Sequence, residues 1–542
     1  MILGAASIAE KIPFLWPEIA AFLATCVVMV VGLSPNLGTR RLCAPIAGLG
    51  LVAAGVLAAF TTPEGTGPLP FLMPFAKVVL CGVGLVLLLL ASGVVDRDEE
   101  AVIAAGKATF NPLRTNRAEF YAFFLFSLTG LMLCASADDL IWLFLALELT
   151  SLPTYIMVTM SRTGRDGARS CEAGVKYFFL GALGAAMFLY GFALLYGGTG
   201  TTSLRGIERA FVSQSGSGGI NSIAMVGMLL SIVGVGFKIA AVPMHLYTPD
   251  VYEGSASPVA AFLAFVPKTA GFLAIILLVS TMGWTFARDG SAAGGHSLPQ
   301  LVLLTLWVMA ALTMTVGNVL ALLQKSVRRI LAYSSIAHSG YMLVGVIAGP
   351  GDGTSITRNG IAAVLFYLLC YGLMNVGAFA VLACLDRKAG DDSPELETVD
   401  DLRGLCSSHP VLGWTMVVCA LGLMGFPPLL GFFAKVPLFT SAIAAGEIPL
   451  VIVLGLNSAI AAFYYLQLVA APMLEAPDTT VRTEPTGHAA RPMAALISAA
   501  SVVGVAVASG PLMEAGAKAG GKPVAKKPAE QPKRPPSGPS GH

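Results

Sequence analysis

The residues of this 542-residue sequence that could do chemistry are ionisable side chains standing inside apolar runs. Of its 33 lysines and arginines, five have no loop to occupy: Lys77, Lys176, Lys238, Lys268 and Lys435. Glu148, in DLIWLFLALELTSLPTYIMV, has apolar residues on both sides, and His338 lies in LAYSSIAHSGYML beside Ser334, Ser335 and Tyr341. An ionisable group at the bilayer centre costs about 2.5–3.5 kcal/mol even on the lenient insertion scale, so each is a functional candidate. A buried lysine needs a carboxylate nearby or gives up its proton, and a neutral imidazole both donates and accepts. A glutamate, lysines and a histidine strung through helices, with no substrate-sized polar pocket in view, point to the proton as the transported species.

Three of the lysines stand at proline breaks. Lys238 comes shortly before Pro243, which cannot donate to the carbonyl of Ile239, so polar backbone is left beside the lysine. Lys268 directly follows Pro267, and Lys435 ends GLMGFPPLLGFFAK, where Pro427 and Pro428 free the carbonyls of Leu423 and Met424. Interrupted helices of this kind build midplane ion sites in transporters. Glu148 is the candidate partner for a buried lysine, unless Thr150 or Ser151 satisfies it.

The remaining charges have plainer readings. Lys77 is close enough to the start of its run to snorkel to the interface. Lys176 is also near a helix start, but it shares that end with Glu172 and precedes Tyr177, and it stays a candidate. Glu18, Asp138, Asp139, Asp250 and Glu253 fall near the ends of apolar runs and are expected at the interface.

The elements that must position these groups are membrane spans. With 56% hydrophobic and 12% charged residues and a mean hydropathy of +0.77, the chain has too little charge for a soluble surface. The reading is an all-α polytopic membrane protein. A span needs roughly 20 apolar residues, and about fourteen windows qualify: 14–33, 42–60, 71–95, 118–136, 138–160, 173–197, 220–243, 255–281, 299–323, 327–348, 360–385, 409–434, 447–471 and the weaker 493–509. The first run lacks a basic leader and contains Pro17 and Glu18, so it is expected to stay rather than be cleaved. The nine cysteines fall singly and read as small apolar fillers. No dinucleotide fingerprint, P-loop or His-Glu-x-x-His signature occurs, so redox and nucleotide chemistry have no obvious home in this chain.

With the N-terminus outside, the inside loops carry 17 lysines and arginines against 5 outside, an asymmetry that favours that orientation. The tail from about Gly516 is rich in Lys, Pro and Gly and is expected to be disordered.

The segments GFKIAAVPMHLYTPDVYEGSASPV, LLQKSVRRILAYSSIAHSGYML, FYLLCYGLMNVGAFAVL and GLMGFPPLLGFFAK resemble the antiporter-like membrane subunits of respiratory complex I, its N-type subunits above all. The resemblance spans roughly residues 10–510. It implies fourteen helices with two inverted five-helix repeats, about 118–281 and 299–471, each containing a discontinuous helix broken at Pro243 or at Pro427 and Pro428. It divides the chain into an N-terminal three-helix segment (1–117), two half-channels (118–281 and 282–471), a last helix (472–515) and a tail (516–542). It puts the family's Glu and Lys pair on Glu148 with Lys176 or Lys238, its connecting lysine on Lys268 and its outward lysine on Lys435. The M-type subunit usually has glutamate where Lys435 stands, and the L-type subunit continues into a long lateral helix of which this sequence shows no sign.

What this implies is a proton-translocating subunit of NADH:quinone oxidoreductase in a bacterial inner membrane, N-terminus outside, beside K-type and M-type neighbours. NAD, FMN, iron–sulfur clusters and quinone would belong to partner subunits, and neither a cofactor, a metal nor nucleic acid to this chain. The rival readings are an Mrp-type cation/proton antiporter, using the same lysines to exchange H⁺ for Na⁺, and a structural spacer. The cost of retaining five intramembrane ionisable groups opposes the spacer.

Overall fold

The computed structural model describes residues 8–61, 72–96, 100, 102–103, 106–107, 111, 115–162, 167–216, 219–284, 298–351, 355–387, 396–477, 483–485 and 489–520. Among these, twelve helices are long and apolar enough to cross a membrane. They run α1 (Ile8–Gly32), α2 (Cys43–Phe60), α3 (Leu72–Leu90), α4 (Arg117–Ala135), α5 (Leu140–Thr159), α6 (Gly167–Thr199), α8 (Ser257–Met282), α9 (Gln300–Leu322), α10 (Val327–Ala348), α11 (Gly360–Cys384), α13 (Ile448–Leu474) and α14 (Ala490–Val507). Two further crossings are made of pieces: α7a (Ser222–Gly236) with α7b (Thr248–Gly254), and α12a (Pro410–Met424) with α12b (Leu430–Ala444). The only strands among the described residues are Leu385–Arg387 and Thr483–Pro485, a short antiparallel ladder between loops.

Two sets of five follow the first three helices, α4–α8 and α9–α13, and in each the fourth is broken. Five crossings is an odd number, so the second set begins on the opposite side of the bilayer and runs upside down relative to the first.

Start signals are local. Asp139 caps α5 by accepting from the Ile141 amide at 2.8 Å, Asn221 caps α7a through the Ile223 amide at 2.8 Å, and Asn359 caps α11 through the Ala362 amide at 2.9 Å. Small residues set the closest approaches: a Cβ on Gly234 of α7a would stand 2.5 Å from the Phe188 amide of α6.

Burial sorts the helices. The apolar windows of α8, α10 and α11 are 100%, 94% and 100% buried, whereas those of α1 and α2 are 28% buried. Helices apolar all round form the centre of the protein, and one-faced helices surround them. The central three carry Lys268, His338 and the tyrosines between them.

Three expectations change. The seventh and twelfth helices end well before their windows do, at Gly236 and Met424. Lys238 therefore lies in unwound chain, not in helix, and Lys435 lies in α12b beyond the second break. The tail does not begin at Gly516: Ser509–Gly520 is helical, because Gly516 and Gly520 are small enough to lie against Ala362 of α11. The expected disorder over 521–542 falls outside the described residues.

Candidate functional site

Unwinding starts where α7a runs out. After Gly236 the chain makes tight turns, with Ala240 in the left-handed region at φ 54° and a cis bond between Val242 and Pro243. A non-glycine residue held at positive φ persists only where its surroundings over-determine it. Here the Ala241 amide donates to the Gly236 carbonyl at 2.9 Å, the Val242 amide to Thr313 Oγ1 at 2.9 Å, and Tyr247 Oη to the Phe237 carbonyl at 2.9 Å.

The break presents Lys238 to α5. Its Nζ stands 3.1 Å from Glu148 Oε1 and 2.5 Å from Ser151 Oγ, with side-chain exposures of 1% for the lysine and 17% for the glutamate. The aromatic face of Phe188 lies 5.8 Å from the same nitrogen. Glu148 thus pairs with a lysine, while Thr150 and Ser151 spend their hydroxyls on the helix carbonyls of Ala146 and Leu147.

The second station is Lys268 on α8. Its Nζ donates to both the carbonyl and, at 2.5 Å, the Oγ of Ser335 on α10, and lies 5.2 Å from the Tyr371 ring. One turn on, Ser339 Oγ reaches the Ile239 carbonyl at 2.5 Å and the Ser335 carbonyl at 3.2 Å. The carbonyl that Pro243 leaves without its helical donor is therefore taken by a serine of the second repeat.

His338 comes next, bridging Tyr367 (Nδ1 to Oη, 2.7 Å) and Tyr465 (Nε2 to Oη, 2.8 Å). Ser334 also bonds Tyr465. At the second break Lys435 Nζ donates to the Met424 carbonyl at 2.7 Å, over the Tyr341 ring at 5.2 Å. Pro428 removes the helical donor of that carbonyl, and the lysine replaces it. Gly425, at φ 88°, is required here: a Cβ on it would meet Lys435 Cδ at 2.9 Å. Both breaks thus hold a lysine against liberated backbone or a carboxylate, and Pro427 joins Pro428 in a cis bond.

Other predicted residues go elsewhere. Lys176 is not brought to Glu148; it is 44% exposed and pairs with Glu172 at 2.8 Å and Asp250 at 3.0 Å, in a surface cluster where Arg329 also binds Asp250 and Glu253. Lys77 does not snorkel, and Glu18 is not interfacial. They form a buried ion pair at 2.7 Å, with side chains 0% and 5% exposed, and Lys77 also donates to the Phe14 carbonyl at 2.8 Å. The carboxylate needed to hold Lys77 lies 59 positions away in sequence, too far for helical spacing to signal. Tyr367, Tyr371 and Tyr465, absent from the sequence reading, are invisible there because a tyrosine in an apolar run looks like core. The six cysteines at 43, 81, 134, 370, 384 and 419 are buried and free.

Residues 137–461 match the family described as NADH:quinone oxidoreductase/Mrp antiporter, TM. NADH-quinone oxidoreductase subunit N of Myxococcus xanthus is 36% identical over 532 residues, which cover 91% of this chain and 95% of that protein. The subunit of the same name from Trichlorobacter lovleyi is 43% identical over 354 residues, 65% of this chain and 67% of its own. A chain in the structure of respiratory complex I from Thermus thermophilus with bound aureothin superposes with a TM-score of 0.71 at 31% identity, covering 93% of this chain and all of that one. A chain of the Mrp complex from Dietzia sp. shares the fold, with a TM-score of 0.72 at 21% identity over 94% of this chain and 97% of its own.

Proposed function

The chain belongs to the family of NADH-quinone oxidoreductase subunit N, and from that premise we propose that it moves protons outward while partner subunits pass electrons from NADH to quinone. The observation that carries this reading is the Glu148–Lys238 pair at the unwound seventh helix, followed by Lys268 in the fully buried centre. In the resting arrangement Glu148 and Ser151 hold Lys238 as the ammonium. A conformational or electrostatic pulse from the redox subunits loosens that pair. The proton then passes over water to Lys268, through the region where His338 joins two tyrosines, to Lys435, and leaves on the far side.

The same reading gives this chain no redox centre; FMN, iron–sulfur clusters and the NAD and quinone sites belong to its partners. It places the protein in a bacterial inner membrane with the N-terminus outside and K-type and M-type subunits alongside. Lys176, held by Glu172 and Asp250 at the surface, takes part only as a member of the charged rim.

The test replaces Lys238, Lys268 and Lys435 singly with Ala in the assembled complex and follows quinone reduction and proton movement in vesicles, with and without Na⁺. Loss of proton movement in each variant supports the path. Normal pumping in all three overturns it, and exchange that requires Na⁺ assigns the chain to cation/proton antiport instead.

A further inference from the structure

One large cavity belongs neither to the lysine path nor to the breaks. It is a half-open cleft of about 600 Å³ where α2 and α4 begin and α3 ends. Its volume is that of a small-molecule site, ~300–1,000 Å³. Its depth is apolar, between Pro45 and Gly48 of α2, Leu85, Leu88 and Leu89 of α3, and Tyr121 of α4. Its rim is charged by Arg41, Arg117 and Glu100.

The rim is incompletely satisfied. Arg117 Nη2 binds Glu100 Oε2 at 2.7 Å, but Glu100 Oε1 is buried and meets no hydrogen-bond partner among the described residues. The Arg41 side chain makes no ion pair or hydrogen bond among the described residues. Burial raises the Glu100 pKa, against the opposing pull of Arg117 and Arg40, so the carboxyl is an easier neighbour for an anion than an ordinary glutamate. From Arg41 to Gly48 is seven residues, about 10 Å of wall at 1.5 Å per residue. The outer face of α2 beside it is apolar and open, with Leu49 69% and Val52 47% exposed.

Two guanidiniums against one carboxyl above two turns of aliphatic wall fit a phosphodiester above an acyl chain. We propose that this cavity holds one anionic glycerophospholipid, its phosphate between Arg41 and Arg117 and one chain lying between α2 and α3. The occupant comes from the bilayer because the wall is aliphatic and adjoins the exposed apolar face of a membrane-length helix. It is anionic because the two cations disfavour a headgroup that carries its own ammonium.

The complex is reconstituted in phosphatidylcholine vesicles doped with diazirine-acyl phosphatidylglycerol or, separately, with the matching diazirine-acyl phosphatidylcholine, and adducts are mapped after irradiation. Adducts on peptides spanning Ala44–Gly48 and Leu85–Leu89 are expected from the anionic probe in clear excess. Arg41→Gln, which breaks no hydrogen bond or ion pair among the described residues, is expected to weaken that labelling about fivefold, the worth of one basic residue near the surface. Gly48→Leu, which fills the cavity, abolishes it. Co-purification of the variant subunit with its complex shows that it has folded. Equal labelling by both probes, labelling unchanged in both variants, or its loss to excess inorganic phosphate overturns the proposal.

Discussion

Glu18 and Lys77 offer a measurement whose size follows from their burial. Their nitrogen and oxygen are 2.7 Å apart with side chains 0% and 5% exposed, and at an effective dielectric of about 20 their attraction is ~6 kcal/mol. Desolvation offsets most of that, yet removing one partner leaves the other buried and uncompensated, which costs about 3–5 kcal/mol. Glu18→Leu and Lys77→Met are each expected to lose that much, whereas the two combined, an apolar replacement of the whole pair, are expected to return to wild type or exceed it. The assay is the denaturant concentration at which this subunit leaves the assembled complex, run as a double-mutant cycle. A coupling energy below about 0.5 kcal/mol, the value of exposed pairs, refutes the reasoning. So does a fall in protons moved per electron in the surviving single-variant complexes, because that would place the pair on the path rather than in the scaffold of α1 and α3.

Further outcomes follow from single contacts. Ser151→Ala removes the 2.5 Å bond to Lys238, and a lost hydrogen bond to a charged group is worth ~1.5–3 kcal/mol; proton movement in vesicles is expected to slow at least tenfold with Glu148 intact. Gly425→Ala forces an L side chain to φ 88° against Lys435 Cδ, a strain of about 1–2 kcal/mol, so pumping falls by about tenfold. Gly455→Ala, whose Cβ meets nothing nearer than 3.8 Å, is expected to leave pumping unchanged. Ser339→Ala strips the Ile239 carbonyl of its donor, and amide exchange over residues 237–242 is expected to accelerate while that of α8 does not.

Much of this arrangement is legible in the sequence. Apolar run length places helices to within a few residues where no proline intervenes, because bilayer thickness dictates the length. Counting basic residues against loops isolates Lys238, Lys268 and Lys435, and the proline rule names the carbonyls of Ile239 and Met424 that later prove to be taken by Ser339 and Lys435. The choice of Lys238 over Lys176 as the partner of Glu148 was not legible, since both lie within reach of a helix end and only tertiary packing decides which faces α5. The early ends of α7a and α12a escaped for a related reason: the unwound residues Phe237, Ile239, Ala240 and Ala241 are as apolar as helix, and hydropathy does not register backbone geometry. Lys77 misled because distance from a helix start says nothing about whether a second helix covers it.

The hydroxyl of Ser339 carries one hydrogen and faces two carbonyls, Ile239 at 2.5 Å and Ser335 at 3.2 Å. The Ser335 carbonyl also accepts from Lys268 Nζ. A single hydrogen cannot serve both acceptors fully, so the unwound seventh helix and the central lysine compete for it. Any shift of Lys268 changes how much the Ser335 carbonyl attracts that hydrogen, and the backbone of the break is tightened or slackened accordingly. One side chain is in this sense a balance beam between a charge and a fold, with its pivot in the second repeat and its two pans in the first.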